Sequence, residues 1–137
     1  MSPIFLSTPS QVYVAAVIPG MCRYRYLMQY HAVYGYWCLP GGKPEHYETR
    51  VSALVRELRE ELGIQLTAAP RPLLRIENER VGKLWVGYHY LVTAYEGVPR
   101  NAEPHKFSKL LYLTADEIKE LDSFGYRAIL EAQRATI

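Results

Sequence analysis

Residues 35–64 read GYWCLPGGKPEHYETRVSALVRELREELGI, and the second half of this stretch has the pattern of an amphipathic helix. Thr49 suits its N-cap, with Ser52 three positions on, and Gly63 suits the left-handed position just past its C-terminus. On a helical wheel with Glu57 at the origin, Glu60 falls at about −60° and Glu61 at about +40°. The three carboxylates share one arc, while Val51, Leu54, Val55, Leu58 and Leu62 fill the neighbouring arc and predict the core-facing stripe. Ala53, one turn before Glu57, leaves space on the acidic side. Stacked carboxylates repel one another and gain nothing from the helix itself. A hard divalent cation among them offsets that cost, because Mg²⁺ favours oxygen ligands and shares substrate phosphates. Taken alone, the helix also reads as a solvated charged face, with Arg56 and Arg59 neutralising it.

The preceding loop shifts the balance between these readings. Pro40-Gly41-Gly42 predicts a turn in which only glycine tolerates positive φ and close backbone approach. From there the spacing is Gly42-x5-Glu48-x7-Arg56-Glu57-Leu58-x-Glu60-Glu61-x-Gly63-Ile64. Average composition would produce this set of residues on the order of 10⁻¹⁰ times per start position. The pattern resembles the Nudix box at every fixed position, and Gly35-Tyr36-Trp37-Cys38-Leu39-Pro40-Gly41-Gly42 is similar to the G-x-W-x-L-P-G-G approach of that family. The resemblance implies the α/β class, an α/β/α sandwich with a mixed β-sheet, and a hydrolase of a nucleoside diphosphate linked to a further group X. It implies that Glu57, Glu60 and Glu61 bind a divalent metal, Mg²⁺ with Mn²⁺ as the alternative, aided by the Gly42 carbonyl and Glu48. Arg56 would orient the carboxylates, and Glu57 and Glu60 are the candidate catalytic bases. Independently of any family, metals on clustered carboxylates polarise a phosphoryl oxygen and acidify a bound water. The expected reaction is substitution by water at phosphorus, with no covalent enzyme intermediate.

The rest of the chain reads as strands, a helix, more strands and a final helical region. Gln11–Ile18 is an apolar run ended by Pro19-Gly20, and 23–30 alternates with a two-residue period, so the two are expected to pair as a hairpin. Strands are expected at 35–39, 73–77, 84–94 and 110–113, with a polar link over 78–83 and a loop over 98–106. Thr114-Ala115-Asp116-Glu117 has the capping-box pattern, and Asp122 suits the start of a second helical piece. Residues 1–10 are expected to lie extended on the surface. The chain has 137 residues, 49% of them apolar and 22% charged, which suits one globular domain over 1–137 and excludes disordered and fibrous classes. No uncharged stretch is continuous enough to form a spanning helix, and the N-terminus lacks a secretory pattern. Cys22 and Cys38 have neither zinc-site nor redox spacing and read as reduced, half-buried packing residues of a cytoplasmic protein. The net charge of +2 divides into −2 over residues 45–61 and +4 elsewhere.

Substrate contacts must come from outside the box. Asn101-Ala102-Glu103-Pro104-His105-Lys106 is similar to an N-x-E-P-x-K segment of MutT-type nucleoside triphosphate pyrophosphatases, which makes Glu103 a candidate; a surface acid beside proline is the plainer reading. Arg23, Arg25, Arg75 and Lys83 are scattered cations able to meet phosphates, but they make no dense patch of the nucleic-acid-binding kind. Twelve tyrosines, Tyr88 among them, offer rings for base stacking, although tyrosine also fills half-buried sheet positions for its own reasons. Glu79, Arg80 and Val81 stand where other Nudix subfamilies carry proline or tyrosine, which weakens the ADP-ribose and dinucleoside polyphosphate readings. The expectation is therefore a (deoxy)nucleoside triphosphate cleaved to monophosphate and pyrophosphate, with substrate contacts from Arg25, Tyr88 and Glu103. Alternatives are a nucleoside diphosphate sugar hydrolase and a non-catalytic nucleotide-binding module. The expected partner is a small nucleotide, with no membrane or nucleic-acid polymer; a homodimer is allowed.

Overall fold

The computed structural model describes residues 11–22, 24–80 and 82–135. Residues 1–10 and Arg23, for which an extended segment and a phosphate contact were expected, lie outside that set. In chain order the elements are β1 Gln11–Val17, β2 Arg25–His31, β3 Tyr36–Cys38, β4 Gly41–Gly42, α1 Arg50–Leu62, β5 Gln65–Leu66 and β6 Arg71–Arg80. They continue with β7 Lys83–Leu91, β8 Tyr95–Glu96, β9 Phe107–Thr114, α2 Ala115–Leu121 and α3 Ser123–Ala135.

One mixed sheet has the order β4-β1-β7-β6, with β1 parallel to β7 and the other pairs antiparallel. A three-stranded antiparallel sheet has the order β3-β2-β9, and β5 pairs with β8. Successive side chains on a strand point to opposite faces, and β1 shows the result. Val14, Ala16 and Ile18 join Leu54, Leu58 and Leu62 of α1 in one core; Ala15 and Val17 join Ile118, Ala128, Ile129 and Ala132 of α2 and α3 in the other. The architecture is thus an α/β/α sandwich, with a helix layer burying each face of the sheet.

The expected β1–β2 hairpin does not form. Each hydrogen-bonding edge of β1 is taken, one by β4 and one by β7, so β2 is left with a single bridge between Pro19 and Tyr26 beside the Leu27 N–H to Ile18 carbonyl bond of 3.0 Å. Residues 78–80 belong to β6 and are not part of a linker: they pair with β7, with Asn78 opposite Trp85 and Glu79 opposite Leu84. The Thr114 capping box is formed: the Thr114 N–H donates to the Glu117 carboxylate at 2.9 Å and the Glu117 N–H to Thr114 Oγ1 at 3.3 Å. Cys22 is exposed in the turn after β1, contrary to the half-buried reading, whereas Cys38 is half-buried and burial pushes its thiol up to about 12. No helix among the described residues is long and apolar enough to cross a membrane.

Candidate active site

Helix α1 is capped as its sequence predicts. Thr49 Oγ1 accepts the Ser52 N–H at 3.1 Å, and Gly63, at φ +68°, donates its N–H to the Arg59 carbonyl. The buried arc is displaced from the predicted one. Val51 is exposed, while Ala53, Leu54, Glu57, Leu58, Glu61 and Leu62 are buried. Ala53, Glu57 and Glu61 stand four residues apart, so they form one row that faces the protein. Glu60 lies outside that row and its side chain is 48% exposed.

Strand β4 is what the buried carboxylates face. A Cβ on Gly42 would come within 2.7 Å of both Glu57 carboxylate oxygens, so the missing side chain is what lets that carboxylate approach the main chain. Gly41 donates its N–H to Glu61 Oε1 at 3.3 Å. Glu61 Oε2 is buried and has no hydrogen-bond partner among the described residues. Burial, reinforced by the neighbouring Glu57 carboxylate, pushes the Glu61 carboxyl far above the usual carboxylate range.

Arg56 ties the remaining acids together. Its Nε and Nη2 donate to the two Glu48 oxygens at 2.8 and 2.9 Å, a bidentate pair, and its Nη1 donates to Glu57 at 2.8 Å and to Glu60 at 3.2 Å. The Arg56 hydrogen bond, together with the Glu45 N–H at 2.8 Å, lowers the Glu48 carboxyl to about 2; the same pairing with Glu48 raises Arg56 further above its ordinary value. The guanidinium thus occupies the space between Glu48, Glu57 and Glu60, and no three acids, histidines or cysteines among the described residues make a ready-formed metal cage.

The 97–106 loop closes the C-terminal end of α1. Arg100 and Ala102 donate their N–H groups to the Leu62 and Glu61 carbonyls at 3.0 and 2.9 Å, satisfying acceptors that a helix end otherwise leaves open. Glu103 is half-buried in this loop, held by its N–H to Asn101 Oδ1 at 3.2 Å, with Asn101 Nδ2 donating to the Phe107 carbonyl at 2.7 Å. Lys106, which the sequence reading passed over, brings a positive charge into the field of Glu61, Cys38 and His31. Its only advance signal was its place in the N-x-E-P-x-K segment.

Of the other two substrate candidates, Tyr88 borders this cluster and Arg25 does not. Tyr88 lines a cleft of about 490 Å³ with Lys43, His46, Glu48 and Arg50, so it reaches the site from the Glu48 side. The Arg50 guanidinium sits 3.9 Å above the Tyr88 ring, and Arg75 donates to its hydroxyl at 3.4 Å. Arg25 is at the opposite end of β2 from His31, donating to the Tyr112 carbonyl at 3.5 Å and lying 4.0 Å from Glu117. It is not brought to the glutamates. Beside Lys106, two of the twelve tyrosines, Tyr34 and Tyr36, gather at the β2–β3 turn with His31 and Phe107, which the sequence did not single out. His31 stacks on Tyr36 with centroids 5.6 Å apart, Tyr34 stacks on Tyr36 at 6.2 Å, and Phe107 meets His31 edge-on at 5.5 Å.

The chain as a whole is similar to known proteins. The human 8-oxo-dGDP phosphatase NUDT18 is 31% identical over 100 residues, covering 73% of this chain and 26% of that protein, so the chain spans about a quarter of its relative's length. The 8-oxo-dGTP diphosphatase of Proteus vulgaris is 58% identical over 33 residues, which are 24% of this chain and 30% of that protein. The crystal structure of a MutT NUDIX hydrolase from Burkholderia pseudomallei superposes with a TM-score of 0.69 at 33% identity, covering 80% of this chain and 86% of that one. A family model described as NUDIX domain matches residues 11–133, and the chain belongs to that family.

Proposed function

We propose that this protein is a divalent-metal-dependent hydrolase of nucleoside diphosphates linked to X, cleaving a (deoxy)nucleoside triphosphate to monophosphate and pyrophosphate. The observation that carries the reading is the pair of buried carboxylates, Glu57 and Glu61, pressed against the Gly41-Gly42 backbone while Arg56 holds Glu48, Glu57 and Glu60. Buried acids are costly unless paired or bound to a cation. Arg56 supplies part of that compensation, and the partnerless Glu61 Oε2 marks where it is incomplete.

The all-oxygen donor set fits a hard cation. Glu57, Glu60 and Glu61 would hold it, with the Gly42 carbonyl and Glu48 contributing. When bound, the metal supplies Lewis acidity toward the phosphoryl oxygens and the water. Arg56 fixes the angular position of the carboxylates through its bidentate grip on Glu48. In the reaction, the water oxygen forms a bond to phosphorus as the anhydride P–O bond breaks. The water proton passes to a carboxylate, Glu57 or Glu60, and pyrophosphate leaves with the bonding pair.

The activities for which the human and Proteus relatives are named add oxidised guanine nucleotides to the candidates. The same reading carries a small-nucleotide partner, no nucleic-acid polymer, Tyr88 and Glu103 as outer substrate contacts without Arg25, and a cytoplasmic setting. Its test is phosphate and pyrophosphate release from a panel of nucleoside triphosphates, 8-oxo-dGTP, 8-oxo-dGDP and nucleoside diphosphate sugars, with Mg²⁺, with Mn²⁺ and with EDTA. Metal-dependent pyrophosphate release from a triphosphate is expected. Turnover confined to sugars would move the substrate, and no metal-dependent turnover at all would leave a binding module.

A further inference from the structure

Buried polar atoms are almost always hydrogen-bonded, so each one that is not calls for a reason. Gln29 is 1% exposed, yet its Oε1 has no partner among the described residues. On the ladder it stands directly opposite Cys38 of β3 and Leu110 of β9, so the three side chains emerge on one face. That face is the one turned to α1: Leu110 packs on the core formed by Leu54, Leu58 and Leu62, and Cys38 lies in the field of Glu61. His31 pairs with Tyr36 on the same face, and their rings are stacked within 18° of parallel. An unmatched acceptor therefore sits between the acidic row on one side and a set of flat rings on the other.

We propose that Gln29 is a specificity-determining residue, its carboxamide oxygen accepting an N–H from the edge of the substrate's heterocyclic base while the base stacks against the His31–Tyr36 rings. This rests on the nucleotide reading given above. A desolvated acceptor discriminates strongly because a base without a donor at that position leaves it unpaired, whereas stacking is tolerant of base identity. The two contributions divide the work: the rings hold any base, and Gln29 ranks them.

The test is equilibrium binding of nucleoside monophosphates carrying guanine, 8-oxoguanine, adenine, cytosine and thymine, followed by intrinsic fluorescence, with wild type and Gln29→Met. Methionine conserves volume and flexibility while removing the acceptor. Wild type should separate the best and worst bases by about tenfold or more, and Gln29→Met should compress that spread to about twofold. Its melting temperature should hold or rise, since the oxygen that is removed has no partner to lose. A lower melting temperature with all bases weakened equally would mean that Gln29 is structural, and the proposal fails. Should Gln29→Met not fold, Gln29→Asn withdraws the acceptor by one methylene and must change the ranking too. If wild type hydrolyses nucleotides and Gln29→Met keeps the wild-type base order, base reading fails and the hydrolase stands. If nothing is hydrolysed but the ranking depends on Gln29, the reverse holds.

Discussion

Glu57, Glu60 and Glu61 lie within one turn of helix but meet different surroundings, and their substitutions should separate accordingly. Glu60→Gln removes an exposed charge and leaves the fold unchanged, whereas Glu61→Gln keeps the acceptor for Gly41 N–H and removes the cost of burying a carboxyl group. Both should lower hydrolysis by at least about 100-fold if these groups stabilise charge at phosphorus. In thermal melts Glu60→Gln should match wild type and Glu61→Gln should match or exceed it. Equal activity of both variants and wild type would remove them from the mechanism. The wheel placed these acids on one arc, but a wheel has no absolute orientation. It gave Val51 to the core and Ala53 to the acidic side, and the rotation that buries Ala53 and exposes Val51 comes from the contact with β4. Gln29 was invisible for the same reason, since an isolated glutamine in an alternating strand carries no sign of which sheet will cover it.

Strand β4 is only two residues long, yet it joins the sheet to the acidic row. A side chain on Gly41 would land on the Val14 carbonyl, and the φ of +154° is itself one that L residues rarely adopt. Gly41→Ala should therefore destabilise the fold by roughly 2 kcal/mol or more, read by urea denaturation, because backbone on the β1 side has nowhere to move. Hydrolysis should fall with it as the N–H that faces Glu61 shifts. Local elements were largely legible: both caps of α1 and the Thr114 box follow from residues adjacent in sequence. Pairing was not. The alternation of β2 is the same whether it meets β1 or β9, and in the fold both edges of β1 are taken by β4 and β7, an outcome set between segments distant in the chain.

Across the whole molecule, the two cores on opposite faces of the sheet should respond differently to acid. His89 faces Tyr13 edge-on at 5.6 Å on the side of the sheet away from α1, and burial lowers its pKa to about 4. A depressed imidazole leaves the folded state neutral while the unfolded chain takes up a proton, so its stabilisation is full above about pH 6.5 and drains away as pH falls toward 4. His89→Phe should flatten that part of the profile by up to about 3 kcal/mol, measured as the difference between the two denaturation curves across the window. An unchanged slope would mean that His89 is protonated in the fold.

The two main-chain bonds from Arg100 and Ala102 to the end of α1 have a mechanical meaning as well. They splice the 97–106 segment onto the last turn of the helix, so Glu103 and Lys106 travel with Glu61 as one body. The segment is a splint whose length is set by the helix, and it cannot swing independently. Amide deuterium uptake at Arg100 and Ala102 should accordingly track the C-terminal amides of α1. Uptake at the rate of a free surface loop would show that the splice opens on its own.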